Sequence, residues 1–310
     1  MNIKKVIITG GFGFIGKALI RKLMQNNLKI IIIEHPNTTV PKGFENFELV
    51  RCDITKTDEI KRLDFKNIDA VLHLAAQSSG PRSFHIPYDD INLNIIGTLN
   101  IIQFCINNSI KRILFASTFA VYGDNFESID KPVNEQKCCN PKSIYANSKY
   151  FCENLLKNYA EPKGIYWNSL RMFNVFGPGQ DITKTDQGVV GIFLNMLLKS
   201  KTVNVKGSLD RFRDLIYIDD VVDAWLKVLF SNQTNQVFNV GTGTRTNFRE
   251  LIFTIANCLK ISDLNVIEEE GTPGDLKGCF ADISKLRNLA NFEPKYNLKK
   301  GLKEMIKFYL

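Results

Sequence analysis

Apolar positions along the chain fall into short runs separated by longer amphipathic stretches. Val6-Ile7-Ile8 leads into residues 16–25, which carry Leu19, Ile20 and Leu23 at helical spacing. Four consecutive isoleucines, 30–33, form a continuous apolar run, as a strand buried on both faces requires. Residues 47–50, 70–74, 112–116 and 166–170 are further short strand candidates. Residues 91–107 and 143–159 predict helices, the second ended by Pro162 and Gly164. This strand–helix rhythm predicts an α/β fold, a doubly wound parallel sheet of the Rossmann type.

The second half has a different texture. Gly177-Pro178-Gly179 opens a loop, 189–198 predicts a helix and 202–205 a short strand. Residues 216–218 lead into a helix at 219–229, and 236–240 predicts a strand that rejoins the first sheet. After Thr246 the pattern is mostly helical, with a strand near 265–268. No repeat or low-complexity linker separates the halves. The expected division is a first domain over residues 1–170, to which 216–245 returns, and a smaller interleaved α/β lobe over most of 171–310.

Composition narrows the class. At 310 residues, 44% hydrophobic and 23% charged, the chain is long enough for a large core and ordinary for a globular protein. Its net charge of +8 comes from scattered lysines rather than a basic run, so it reads as solvated surface and not as a nucleic-acid footprint. No apolar run approaches the ~20 residues that cross a bilayer, and the first residues run straight into a strand without a signal-peptide core. The seven cysteines have no zinc-site spacing, and Cys138-Cys139 are adjacent. No metal is expected, and a cytoplasmic location with reduced cysteines is.

The chemistry starts at the first strand's end. Thr9-Gly10-Gly11-Phe12-Gly13-Phe14-Ile15-Gly16 lies between a strand and a helix. Gly10, Gly13 and Gly16 permit a sharp turn, close approach of a pyrophosphate to the backbone, and tight packing of the helix. The helix N-terminus then offers free N–H donors to phosphate. Glu34 ends the next apolar run, where a carboxylate accepts hydrogen bonds from an adenosine ribose and repels a 2′-phosphate. The pattern points to NAD rather than NADP. Gly241-Thr242-Gly243 is a lone pair of glycines and reads as a loop.

Tyr145 and Lys149 stand four residues apart on a predicted helix and share a face. A nearby ammonium and a place in the first helical turn are expected to favour the phenolate. Such a pair can take or return the proton of a hydroxyl while a hydride moves. Ser117-Thr118 follow the strand candidate 112–116 at the sheet edge that binds ligands, and Thr118 is the expected hydroxyl partner.

With these features in place, the chain resembles the NAD-dependent epimerase/dehydratase family, the extended short-chain dehydrogenases. The resemblance rests on the glycine turn, Cys52-Asp53-Ile54, His73-Leu74-Ala75-Ala76-Gln77, Asn94-Ile95-Ile96-Gly97-Thr98, Ser117-Thr118-Phe119-Ala120-Val121-Tyr122-Gly123 and Tyr145 with Lys149. It continues through Arg171-Met172-Phe173-Asn174-Val175-Phe176-Gly177, Arg213-Asp214 and Pro273-Gly274-Asp275. It implies that Asp53 and Ile54 contact the adenine, that Phe14, Ile15, Leu74, Ala75, Ala76 and Asn94 face the cofactor, and that Lys149 touches the nicotinamide ribose. Tyr145 is then the acid/base. Asn174 contacts the substrate, Arg213 its diphosphate, and Asp275 its nucleotide ribose. Cys279 stands where members vary in bulk near the sugar. A homodimer through a four-helix bundle, built from 91–107 and 143–159 of each copy, is implied as well.

Members that perform 4,6-dehydration carry an acidic pair after the threonine. Here Phe119 and Ala120 stand there, and neither transfers a proton. The expected reaction is oxidation at C4 of a nucleotide-diphospho-sugar. A 4-epimerase of UDP-hexose or UDP-N-acetylhexosamine type comes first. A C4 dehydrogenase that releases the keto sugar, for example of GDP-heptose type, is the alternative. A non-catalytic NAD-binding regulator would lack the Tyr–Lys pair. Thr272 replaces an arginine that many members carry before Pro-Gly-Asp.

Overall fold

The computed structural model describes residues 3–124, 130–271 and 277–310. Thr272 and Asp275 lie outside the described residues. Strands β1 (Lys5–Thr9), β2 (Lys29–Glu34), β3 (Glu48–Arg51), β4 (Ala70–His73), β5 (Arg112–Thr118) and β6 (Tyr166–Met172) join Gln236–Val240 in one seven-stranded sheet. Every pairing in it is parallel, and the order is Gln236–Val240, β6, β5, β4, β1, β2, β3. The chain runs outward from β1 to β3, then crosses back to β4 on the other side of β1. Strand order therefore reverses between β1 and β4, and a crevice opens at their C-terminal ends.

The isoleucine run shows why the sheet is covered on both faces. Ile30 and Ile32 point into a core with Leu19, Ile20, Leu23 and Trp225. Ile31 and Ile33 point into a second core with Ile101, Ile102 and Phe104. Alternation at period two puts an apolar side chain on each face at each step, so no position can be polar. A third core, around Phe193, Leu197, Val203, Phe248, Leu251 and Met305, belongs to the smaller lobe. That lobe holds the parallel pairs Asn174–Phe176 with Leu215–Tyr217 and Thr202–Lys206 with Asn265–Glu269. Helices Val189–Lys199, Phe248–Leu259 and Leu298–Tyr309 pack on them. Among the described residues, no helix is long and apolar enough to cross a membrane.

Three local features differ from the pattern-based expectation. Ser117 and Thr118 are the last two residues of β5 rather than the turn after it. The helix expected at 91–107 is helical from Pro87, with a wide π-helical stretch at Asp90–Ile96 before the α-helix Gly97–Asn107. The helix expected at 143–159 is α-helical over Ile144–Leu155 and π-helical over Leu156–Ala160. Single-residue insertions of this kind leave the apolar period almost unchanged, so hydrophobicity alone does not reveal them.

Two buried carboxylates organise the interior. Asp214 is fully buried and accepts from the Thr242 and Gly243 N–H groups (2.8 and 2.9 Å), the Thr242 hydroxyl (2.7 Å) and the Ala281 N–H (3.0 Å). The glycine pair at 241–243 is thus a loop wrapped around a carboxylate. Glu153 on helix Ile144–Leu155 accepts from Ser117 (2.6 Å) on β5 and from Ser169 (3.1 Å) on β6. It also accepts a two-pronged bond from Arg171 (3.0 and 2.6 Å) on β6. Both partners of the ion pair are about 5% exposed.

Removing one partner of such a pair strands the other charge in the core, whereas replacing both with apolar groups does not. Glu153→Gln is expected to lower unfolding free energy by about 3–5 kcal/mol, read from urea midpoints, and Glu153→Leu with Arg171→Met should recover most of it. A loss under about 1 kcal/mol in the single variant would contradict this account.

Candidate active site

A cavity of about 1350 Å³ opens where the C-terminal ends of β1, β4, β5 and β6 face the smaller lobe. Its first wall is the glycine turn. Gly10 has φ +68°, and a Cβ there would meet the Ala75 nitrogen at 2.6 Å. A Cβ on Gly16 would lie 2.5 Å from the Gly10 carbonyl oxygen. Only glycine lets helix Phe14–Gln25 start this close to the sheet. No side chain caps that helix, so its first N–H groups face the cavity, together with Phe14 and Ile15.

Glu34 ends β2 beside this turn. It is 8% exposed, and its carboxylate accepts from the Phe12 N–H at 2.7 Å. Burial raises its pKa, while the Phe12 N–H and the charge of Arg51 act the other way. Phe12 is the anchor that sequence reasoning missed, because a backbone donor leaves no residue-type signal. Asp53 lines a smaller cavity of about 570 Å³ with His35, Thr55, Ser78, Arg82 and Leu93. Its carboxylate accepts from the Thr55 N–H and hydroxyl, at 2.9 and 2.8 Å. Ile54 points into the core instead, 5% exposed and packed against Gly97. Leu74 and Ala76 line the larger cavity, and the Ala75 N–H donates to Thr9 Oγ1 at 3.3 Å.

Asn94 is buried, and its amide is engaged on both ends. Oδ1 accepts from the Gln77 N–H (2.9 Å), and Nδ2 lies within bonding distance of the Gln77 carbonyl, Asp90 and Ser148 (3.1, 3.1 and 2.9 Å). Gln77 Nε2 also donates to both oxygens of Asp90. The structure therefore gives Asn94 the place of a brace between the loop after β4 and helix Ile144–Leu155.

The opposite wall carries the reactive groups. Ser143 caps helix Ile144–Leu155, its hydroxyl accepting from the Ala146 N–H at 3.1 Å, which puts Tyr145 in the first turn. Thr118 Oγ1 accepts from the Ala120 N–H at 3.2 Å, and its hydroxyl is near enough to the Tyr145 phenol to favour the phenolate. Lys149 is almost fully buried, its Nζ 4.8 Å from the centre of the Phe115 ring. Thr118, Tyr145 and Lys149 all line the cavity.

The electrostatics correct one expectation. Burial pushes the Tyr145 phenol up to about 12, with the Thr118 hydrogen bond opposing it and Asp90 adding to it. Lys149 does not draw the phenol down towards neutrality here. Burial pulls the Lys149 ammonium itself down to about 8, although Cys152, Asp90 and Glu153 nearby favour its charge. Taking each group out of water disfavours its charged form, and that cost sets the direction of both shifts.

Asn174 and Arg213 come from the smaller lobe. Asn174 Nδ2 is buried and, among the described residues, has no hydrogen-bond partner. A buried donor of this kind marks a place for a ligand acceptor. The Arg213 guanidinium stands 5.3 Å from the centre of the Phe248 ring, and Nη1 donates to the Phe212 carbonyl at 2.7 Å. Arg211 stacks on the same ring at 4.7 Å, and it lines the cavity with Lys206. These two cations were not singled out from sequence, although Arg211 stands two residues from Arg213. Cys279 is 4% exposed and packs with Val121, Tyr122, Val133 and Phe173.

Comparison with known proteins agrees with this geometry. The model of the NAD dependent epimerase/dehydratase family matches residues 6–241. The UDP-glucose 4-epimerase of Mycolicibacterium smegmatis is 30% identical over 98% of this chain and 98% of its own length. The solved UDP-N-acetylglucosamine 4-epimerase of Methanobrevibacter ruminantium, in complex with UDP-N-acetylmuramic acid, superposes with a TM-score of 0.89. It is 33% identical, with 100% of this chain and 99% of that one covered. The Thermus thermophilus UDP-glucose 4-epimerase complex with NAD superposes at 0.87 with 31% identity and 98% of both chains covered.

A phenol held near 12 stays neutral at ordinary pH. In the cofactor-free protein, the ultraviolet difference titration of wild type against Tyr145→Phe should show no phenolate from this residue below about pH 10. A phenolate signal lost with Tyr145 and appearing below about pH 9 would contradict the burial argument.

Proposed function

The chain belongs to the NAD dependent epimerase/dehydratase family, and on that premise we propose that it is a 4-epimerase acting on a nucleotide-diphospho-sugar of the UDP-hexose or UDP-N-acetylhexosamine type. The observation that carries this reading is the convergence of Thr118, Tyr145 and Lys149 on one wall of the cavity, with the glycine turn across it.

NAD is the cofactor, and the residues present fit it. The uncapped helix start and Gly10, Gly13 and Gly16 suit its pyrophosphate, Glu34 its adenosine ribose, Asp53 its adenine end, and Lys149 the nicotinamide ribose. Bound NAD supplies the hydride acceptor and, when oxidised, a positive charge that favours a phenolate beside it. Tyr145 takes the proton from the C4 hydroxyl as that carbon is oxidised, and returns it when the keto sugar is reduced on its other face. Thr118 holds the reacting oxygen and stabilises the phenolate by donating to it. Lys149 orients the ribose and adds positive charge. Asn174 uses its buried Nδ2, without a partner among the described residues, on the substrate, and Arg213 presents its fork of donors to the diphosphate. Phe119 stacks on Phe173, ring centres 5.3 Å apart, and Ala120 has no ionisable proton, so these two positions supply no acidic pair for 4,6-dehydration.

In this reading residues 1–170, with 216–245, hold the dinucleotide, and most of 171–310 holds the nucleotide sugar. A homodimer and a cytoplasmic location belong to the same proposal. The dimer is supported by exposed Phe84, Tyr88, Ile91 and Phe151, which lie on or beside the two helical segments expected to pair. Light scattering should give twice the 35.3 kDa chain mass, and Phe151→Glu should halve it. A wild-type monomer would contradict the pairing.

With UDP-glucose and UDP-N-acetylglucosamine, wild type should form the 4-epimer with no net NADH. Tyr145→Phe should lower kcat by about 10²–10⁴-fold, and Thr118→Ala by a smaller factor. Release of a 4-keto sugar with accumulating NADH would make the enzyme a C4 dehydrogenase instead. Unchanged turnover in Tyr145→Phe would overturn the proton-transfer role.

A further inference from the structure

Between Gly179 and Gly188 the smaller lobe sends a loop back across the cleft to the first domain. Both glycines have positive φ, 83° and 80°, so the loop leaves and rejoins its lobe at backbone positions that other residues rarely adopt. Near its start, the Tyr309 hydroxyl donates to the Gln180 carbonyl. Towards its end, the Ser79 hydroxyl donates to Asp186 Oδ2 at 2.7 Å and the Ser78 hydroxyl to Gln187 Oε1 at 3.2 Å. Ser78 and Ser79 lie in the loop after β4, in the first domain.

The placement of this crossing is informative. Ala76, Ser78, Lys184, Asp186 and Gln187 line both the large cavity and the small one, so the loop passes over the neck between them. The glycine turn and Tyr145 lie on the large side, and Asp53 lies on the small side. A dinucleotide with one end at Tyr145 and the other at Asp53 runs beneath the crossing. Lys184, itself exposed, brings a cation to the neck.

We propose that residues 179–188 form a strap that retains the dinucleotide, with Asp186 and Gln187 as the latch and Lys184 as a cation facing the cofactor. This inference rests on the dinucleotide reading above and extends it to residues that sequence reasoning passed over. Two hydrogen bonds from serine hydroxyls are few enough to break when the cofactor is loaded, and they suffice to slow its escape. Slow escape matters to an enzyme that must keep its reduced cofactor until the keto sugar has turned over. Lost cofactor would strand the reaction at the oxidised sugar.

The test is cofactor release from the full-length protein. Wild type and the Asp186→Ala/Gln187→Ala double variant are charged with NADH and diluted into excess NAD, and loss of bound-NADH fluorescence is followed. Release should be about tenfold faster in the variant, the scale set by two modest hydrogen bonds, with the unfolding midpoint shifted by less than about 2 °C. Ser78→Ala, which removes one latch bond from the other side, should show a smaller acceleration. Lys184→Ala should speed release with both latch bonds intact. Release rates within twofold of wild type in all three variants would overturn the strap. So would a raised KM for the nucleotide sugar with unchanged NADH release, because the loop would then serve the sugar alone. A wild-type protein that takes up no dinucleotide overturns both this inference and the cofactor reading, whereas uptake with unaltered release overturns only the strap.

Discussion

The Glu153 carboxylate sets the site. Tyr145, Lys149 and Glu153 follow one another at four-residue steps on one helix, so they lie along one face. Glu153 is bonded to Ser117 on β5 and to Ser169 and Arg171 on β6, which fixes the rotation and height of that face against the sheet. Ser117 is also the residue before Thr118. One buried carboxylate therefore positions the phenol and the amine from one side and the alcohol from the other. Rotating the helix about its axis would break the contacts of Glu153 with Ser117, Ser169 and Arg171. The ion pair need not add net stability to be useful here, because its geometry specifies a register that apolar packing leaves looser.

The same burial that fixes these groups works against their charges. In the cofactor-free cleft, Tyr145 is pushed towards the phenol and Lys149 towards the free amine. A second network, Asp90 with Gln77, Asn94 and Ser148, braces the helix from the neighbouring segment Asp90–Ile96. His73 at the end of β4 is buried and held neutral, down to about 3, with its two ring nitrogens within hydrogen-bond distance of Thr9 and Thr98. The resting site is thus held by hydrogen bonds around groups whose charged forms burial disfavours. Charge arrives with the cofactor and substrate, where a dehydrated cleft makes each interaction stronger than it would be in water.

Much of this was legible in the residues. The isoleucine run, the glycine turn and the Tyr–Lys spacing are local patterns, and each reports a local constraint. They were enough for the sheet and for a glycine turn and a Tyr–Lys pair that the structure brings to one cavity. What the pattern did not show is long-range. Glu153 meeting Arg171, the Phe12 N–H meeting Glu34, and Asp214 gathering Thr242, Gly243 and Ala281 all depend on parts of the chain that pattern reading treats separately. The environment of Tyr145 is in the same class. Sequence shows the amine four residues away but not the desolvation that raises the phenol. Asn94 shows a further limit, since its type suits a ligand contact while its surroundings consume its amide.

In the proposed reaction one carbon of the sugar loses a hydride and regains it in the same cleft. A nucleotide sugar carrying deuterium at C4 tests it most directly. If the same hydride is returned on the opposite face, mass spectrometry of the epimer formed in ordinary water will find the label still on C4. Deuterium transferred to free NADH, with an unlabelled or keto product, would show that the hydride does not come back and would contradict the account.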